Sequence, residues 1–579
     1  MRLERTLQIA YLAALGFMTT GVSAQAVTFT PQQEVLAEFG RAVFFDESLS
    51  TPGNQQGCVS CHNPERGWTF PDAEINAGPV GNPGADPQAH GNIRPNTIAY
   101  ASFIHPFQPC GIGAPGGGRW CGGLFWNGRA EGTDPLGTWP VGDGAVSESV
   151  SLYELQLIPE YSAYYYDFLD PSSDDFLGPL IDQALNPAQR GPEQNAGEKK
   201  VCQQVKTATY GAMYEEAFGE EINCQTIPDD NPAYHVAFMR IALAIAAFET
   251  SPYVNAFSSF RDLALYRELD CAGDPAFNGY ADDQICSHLA ALKNPDEYGQ
   301  FPLAFVDLGL PIEQIREINR GHDLFYGLVS EPSPLNGGNP ADAEGNLRGT
   351  REGPYGGGPV EFAGVGINAG CSACHSNEPG GRGGNPPPDT GAEPRQTYND
   401  HAYHNIGIPY NRDIPDTAYQ EVAGIIEHIS FASNSTPDRP RSTAPGFFRD
   451  QTLRNVGMGD ENGAFVKAFG HNGHFKRLED IIHFYGTRDL KKRCEFIPVG
   501  ERRTDRNGNP DANYDVIDTP IVDATAAEAL ANDCWPEPEF ADGTSTFGNV
   551  GISDMYPEEE AAIAAYIRAL TDTVIAEAP

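Results

Sequence analysis

Two short runs of this chain carry residues in a pattern that does chemistry: Cys58-Val59-Ser60-Cys61-His62 and Cys371-Ser372-Ala373-Cys374-His375. Two thiols separated by two residues can form thioethers to the vinyl groups of one porphyrin. The histidine that follows is then held beneath the iron as its proximal ligand. Each run follows a glycine, and one lies in each half of the chain. Together they predict two covalently bound haem c groups. Two CxxC pairs also suit a four-cysteine zinc site, but the adjoining histidines favour haem.

The segments around these runs have to position them, and they repeat. Glu38-Phe39-Gly40-Arg41-Ala42-Val43-Phe44-Phe45 precedes the first run, and Ile318-Asn319-Arg320-Gly321-His322-Asp323-Leu324-Phe325-Tyr326 precedes the second. Both read as an amphipathic helix ending in aromatics. A Gly/Pro-rich insertion over about 330–366 separates the second helix from its cysteines. Each half closes on helical sequence, the apolar run Val236 to Phe248 and the stretch Pro557 to Leu570, which opens on Pro and Glu. No segment alternates as a strand would over any length, so a mainly α class is expected, with short strands admitted in the insertions. The expected division is 1–24, 25–265, 266–312 as a connecting segment, and 313–579.

Residues 1–24 read as an export signal: Arg2 and Arg5, the short apolar run Ile9 to Met18, and Val22-Ser23-Ala24 before a cut. No later stretch is long enough to span a bilayer, so a periplasmic protein with no membrane span is expected. Of 12 cysteines, the haem runs take four. The rest fall into neighbours along the chain, pairing Cys110 with Cys121, Cys202 with Cys224, Cys271 with Cys286, and Cys494 with Cys534. That pairing rests on proximity alone. With 79 acidic against 37 basic side chains the net charge is -42, which opposes nucleic-acid binding. General solvation is the plain reading of that charge, and attraction of a basic electron carrier the sharper one. The 63 glycines and 47 prolines predict long loops around a modest set of helices.

Further motifs narrow the function. Arg94-Pro95-Asn96-Thr97 and Phe125-Trp126-Asn127-Gly128-Arg129-Ala130 follow the first run. Thr452-Leu453-Arg454-Asn455-Val456, His471-Asn472-Gly473 and Leu478-Glu479-Asp480-Ile481-Ile482-His483-Phe484-Tyr485 follow the second. In type and order they resemble the bacterial di-haem cytochrome c peroxidase and MauG family. The resemblance implies two cytochrome c-like haem domains with long irregular loops, 25–265 being peroxide-reactive and 313–579 electron-transferring. It makes His62 and His375 the proximal ligands and Trp126 a relay between haems, although Trp126 taken alone reads as a packed core aromatic. Tyr485 falls where the peroxidases carry an axial methionine and MauG a tyrosine. A phenolate is a hard anionic donor that stabilises ferric iron, so a low-potential second haem is expected. A buried helix tyrosine is the plainer alternative.

Family members place a glutamate in an Asn-Pro-x-Glu segment beside the first haem, where it shuttles a proton between the peroxide oxygens. Here the nearest match is Asn186-Pro187-Ala188-Gln189, and glutamine cannot carry that proton; Glu193 is the other candidate. The resemblance also implies one Ca2+ at Asn96 and the carbonyls near Asp450 and Thr452, oxygen donors that suit a hard cation. His471 maps near the second haem. The family position for a histidine cap on the first haem holds Gly78, so no cap is expected, with His90 and His105 the alternatives in that loop. The leading reading is an oxidoreductase using hydrogen peroxide. Its electrons come from a small periplasmic donor protein or from aromatic residues of a client protein. A di-haem oxygenase acting on an organic substrate and a non-catalytic electron-transfer cytochrome remain the competing readings.

Overall fold

The computed structural model describes most of residues 29–132, 177–292, 310–326, 369–375, 394–414, 446–502, 515–540 and 550–573, with strands at 350–352 and 359–361. Residues 1–24, expected to be an export signal, and His90 lie outside the described residues. Helices dominate the described chain, and strands occur only as three short antiparallel pairs. No helix among the described residues is long and apolar enough to cross a membrane.

Helix α1 (Pro31–Phe44) starts at a capping box. The Thr30 hydroxyl accepts from the Gln33 N–H, the Gln33 side chain accepts from the Thr30 N–H, and Pro31 occupies the first turn, where no N–H is missed. A short α2 (Ala73–Ala77) is capped by Asp72. Then come α3 (Leu177–Ala184), α4 (Glu198–Thr207), α5 (Ala212–Phe218) and α6 (Ala233–Glu249). From Ala237 onward every residue of α6 is buried, as an all-round apolar helix requires. It forms the middle of the first core, with α1, α3 and α4 packed on it.

Helix α7 (Phe260–Cys271) runs into the segment 266–312 expected to be a connector, and α8 (Asp283–Leu292) lies within it, so its described residues are largely helical. The second half contributes α9 (Ile312–Tyr326), α10 (Leu478–Thr487), α11 (Ala526–Ala531) and α12 (Pro557–Arg568). Strands β1 (Gln108–Cys110) and β2 (Arg119–Cys121) pair with each other. So do β3 (Thr350–Glu352) and β4 (Pro359–Glu361) inside the insertion, and β5 (Tyr403–His404) and β6 (Phe448–Arg449).

The repeat seen in the sequence has a packing reason. At Gly40 on α1 an added Cβ would lie 1.7 Å from the Ala244 carbonyl oxygen of α6; at Gly321 on α9 it would lie 1.9 Å from the Ala562 carbonyl oxygen of α12. Both helix pairs therefore cross backbone against backbone, and only glycine fits at the contact. The same crossing, built on the glycine of the same motif, recurs in each half.

A buried polar cluster joins the halves. The Arg454 guanidinium donates to both Asp262 oxygens at 2.7 and 2.8 Å, and both side chains are fully buried. Asp262 is also the capping-box residue of α7, accepting from Ser259. Arg454 lies over the rings of Phe257 and Tyr100 at 4.5 and 4.8 Å, and the Tyr100 hydroxyl donates to Asp572 at 2.7 Å. Disulfides Cys202–Cys224, Cys271–Cys286 and Cys494–Cys534 form as paired from the sequence. Cys121 is disulfide-bonded, and the side chain of Cys110 lies outside the described residues.

Candidate active site

The first attachment turn borders a cavity of about 370 Å³, walled by Phe44 of α1, Phe238, Ile241 and Ile245 of α6, Asn96, Trp126 and the loop Pro187–Gln194. Cys58, Cys61 and His62 line it. The His62 Nδ1 lies 3.2 Å from the Trp68 carbonyl oxygen. A carbonyl only accepts, so Nδ1 carries the proton and Nε2 keeps its lone pair for a metal. Burial holds this imidazole down at about 4, so it stays neutral, as a ligand must.

The cavity wall also presents two carboxyl groups. Glu193 comes from the loop between α3 and α4, and Glu249 ends α6. Burial pushes the Glu249 carboxyl up to about 8, and its place at a helix C-terminus further opposes negative charge. Its Oε2 has no hydrogen-bond partner among the described residues. Gln189 does not line the cavity: its amide donates to the Leu185 carbonyl at 3.2 Å on the exposed side of the loop.

A second cavity of about 190 Å³ borders Cys371, Cys374 and His375. The design around its histidine is the same: Nδ1 faces the Tyr398 carbonyl oxygen at 3.2 Å, and burial lowers the imidazole to about 4. Tyr485 reaches this cavity from α10, and burial raises its phenol pKa. Met555 lines it too. Beside His375 lie three more titratable groups. Asp450 Oδ2 is 3.7 Å from its Nδ1, and Asp400 accepts from His404 at 3.0 Å. The His404–Asp400 pairing raises the histidine and lowers the carboxyl, whereas burial and the nearby Asp400 push Asp450 well up.

Trp126 and Arg94 line both cavities. The indole N–H donates to the Arg94 carbonyl at 2.8 Å, and the guanidinium lies 5.3 Å from the ring centroid. The Trp126 carbonyl accepts from the Arg449 N–H of β6 at 2.8 Å, so the backbone of the second half fixes the tryptophan from behind. Beyond it His471 stacks on Phe448 at 3.6 Å and pairs with Glu539 at 2.9 Å.

Several side chains sit away from where the motifs pointed. His105 faces His401, with Nε2 and Nδ1 3.3 Å apart, at the contact between halves; it does not line the first cavity and is no cap for it. Gly78 terminates α2. The Cys58 and Cys371 pairs border different cavities, so no four-cysteine zinc site forms. Glu249 escaped the sequence analysis, yet a lone carboxylate directly behind the apolar run 236–248 was its signal. Met555, Glu539 and the Asp400–His404 pair left none, being brought in from distant loops.

Residues 34–265 match the family model for di-haem cytochrome c peroxidase. The chain is 35% identical over 127 residues to the methylamine utilization protein MauG of Paracoccus denitrificans, a match spanning 22% of this chain and 30% of that protein. Over residues 34–265 the chain is thus similar to di-haem cytochrome c peroxidases, and it spans under a third of the length of the MauG protein it matches. Among solved structures, the diheme peroxidase BthA from Burkholderia thailandensis has a TM-score of 0.49 at 18% identity, covering 97% of this chain and 91% of that one. A MauG-like protein associated with microbial copper homeostasis has a TM-score of 0.41 at 16% identity, covering 94% and 91%.

Two haems need two separate sites, and the donor sets at the two cavities fit them. Cys58, Cys61, Cys371 and Cys374 are the described cysteines outside disulfides, and each pair adjoins a half-buried neutral imidazole facing a cavity. The family's calcium finds a weaker match. Asp450 Oδ1 is buried without a hydrogen-bond partner among the described residues, as a carboxylate awaiting a cation would be. Asn96, however, lines the first cavity, and the Thr452 hydroxyl is already committed to the Thr397 carbonyl at 2.6 Å.

Proposed function

We propose that this chain is a periplasmic di-haem c-type oxidoreductase with hydrogen peroxide as oxidant. The observation that carries the reading is the wall of Trp126 and Arg94 common to the two cavities, because it offers one aromatic path between two cofactor sites. Haem bound at Cys58 and Cys61 would supply an iron able to take two oxidising equivalents from peroxide, and haem at Cys371 and Cys374 a second iron to share them. His62 and His375 would hold the irons through Nε2, each imidazole being oriented by a backbone carbonyl at Nδ1. Glu193 moves the proton between peroxide oxygens; Gln189, exposed and off the cavity, takes no part.

Tyr485, on the wall of the second cavity, would supply an oxygen ligand to the second iron. Burial opposes its phenolate, so that anion forms only beside a cation such as ferric iron. Such a ligand suits stored oxidation passed to aromatic residues of a client protein, the MauG-like version of the function. The net charge of -42 suits a basic electron-donor protein in the peroxidase version. Asp450 would hold a calcium ion, with Asn96 and Thr452 as the further candidates.

The test is the spectrum of protein matured in an exporting host, before and after one equivalent of peroxide. The reading expects two haems per chain, one of them high-spin and peroxide-reactive. Two low-spin haems inert to peroxide would make the chain an electron carrier instead. Peroxide-dependent oxidation of a reduced small cytochrome then separates the peroxidase version from the client-protein version.

A further inference from the structure

Behind the first attachment turn, on the outer surface, lies an open depression of about 380 Å³ whose lining includes Phe45, Asp46, Ser48, Thr209 and Tyr210. Residues in direct contact with one another separate it from the first cavity. Gly57, which lines that cavity, sits so close that an added Cβ would meet the Asp46 carbonyl oxygen at 2.6 Å. Phe44 faces the cavity and Phe45 the depression, with ring centroids 5.6 Å apart. The short helix Glu47–Leu49 packs directly on Cys58–Ser60.

Across this depression the Tyr210 hydroxyl donates to Asp46 Oδ2, while Asp46 Oδ1 accepts from the Ser48 N–H at 2.8 Å. The two residues are 164 apart in sequence, and the ring of Tyr210 packs 6.4 Å from Phe39 of α1. Burial first, and then Asp46, keep this phenol protonated well above its ordinary range. A tyrosine so held gives up an electron only if its proton leaves with it, and the carboxylate already hydrogen-bonded to it is the acceptor.

We propose that the Tyr210–Asp46 pair is a surface site at which small neutral or cationic phenols are oxidised by one electron. Phe45 gives an apolar floor, and Asp46 keeps lone pairs for a phenolic O–H. The charge of -42 disfavours anionic reductants. This rests on the peroxide-dependent function proposed above. Tyr210 passes an electron inward and its proton to Asp46. The phenolic O–H then breaks: its electron and the proton on Asp46 restore Tyr210, and the phenolic proton takes its place on Asp46 before leaving to solvent. Over two such cycles one hydrogen peroxide and two phenols give two phenoxyl radicals and two waters.

The test uses the haem-loaded protein, Tyr210→Phe and Thr209→Trp, the latter an exposed position whose new side chain fills the depression. Without peroxide, 4-fluorophenol should show fluorine line broadening with wild type that Thr209→Trp removes. After rapid freezing with peroxide and no reductant, wild type should show a tyrosyl radical signal that Tyr210→Phe lacks. In steady state, the ratio of phenol oxidation to carrier-cytochrome oxidation should fall about tenfold or more in Tyr210→Phe. A wild type that reacts with peroxide while Tyr210→Phe keeps its ratio and radical signal overturns this site alone. So does phenol binding that Thr209→Trp leaves intact. A wild type inert to peroxide overturns the functional reading and this site with it.

Discussion

The two acid groups of the first cavity, Glu193 and Glu249, make separate predictions. Glu193→Gln should slow the reaction with peroxide by about 10²–10⁴-fold, read by stopped-flow absorbance. Gln189→Ala should leave it within about twofold, because that amide faces away from the cavity. Glu249 makes a different prediction. Its folded pKa of about 8 stands above the ordinary glutamate value of 4.5, so folding takes up a proton between those values. Stability present below pH 4.5 is therefore lost as pH rises through 8. Relative to Glu249→Gln, wild type should lose up to about 5 kcal/mol across that window in denaturant titrations. At the second cavity Tyr485 and Met555 both reach the wall. Tyr485→Phe should change the spectrum of the oxidised second haem and raise its potential, whereas Met555→Leu should leave both as they are.

Among the elements, the two glycine crossings are the most sensitive. Gly40→Ala or Gly321→Ala forces a methyl into a backbone carbonyl, so each should cost about 2 kcal/mol or more in thermal unfolding, although alanine is the better helix former. The helices themselves were legible because their cues are local: the glycine–aromatic motif, the apolar run that became α6, and the Pro-Glu start of α12. Helices α7 and α8 were not, since a cysteine- and proline-containing stretch reads as a connector until the Cys271–Cys286 bridge and the Asp262 cap are seen. The two CxxCH runs were the most legible part of the candidate site, because all their residues fall within five positions.

Across the whole molecule the halves are joined by buried charge rather than by apolar surface alone. Arg454→Met should leave Asp262 buried without its main partner and cost about 3–5 kcal/mol. Its readout is chemical unfolding of the haem-loaded protein. If the shared wall carries electrons, Trp126→Phe should slow oxidation of the second haem by peroxide-treated protein without changing the haem count.

Sequence alone determined the pieces whose parts are neighbours along the chain: the CxxCH runs, the capped and amphipathic helices, the local cysteine pairs and the family motifs. Tertiary structure decided what depends on distant segments meeting. It set Glu193 rather than Gln189 on the cavity wall, turned His105 toward His401, brought Asp450 beneath His375 and laid Tyr210 against Asp46. The reason is physical. A helix or an attachment turn is specified by interactions within a few residues, but a buried carboxyl acquires its proton affinity, and a tryptophan its two neighbours, only from the walls that close around it.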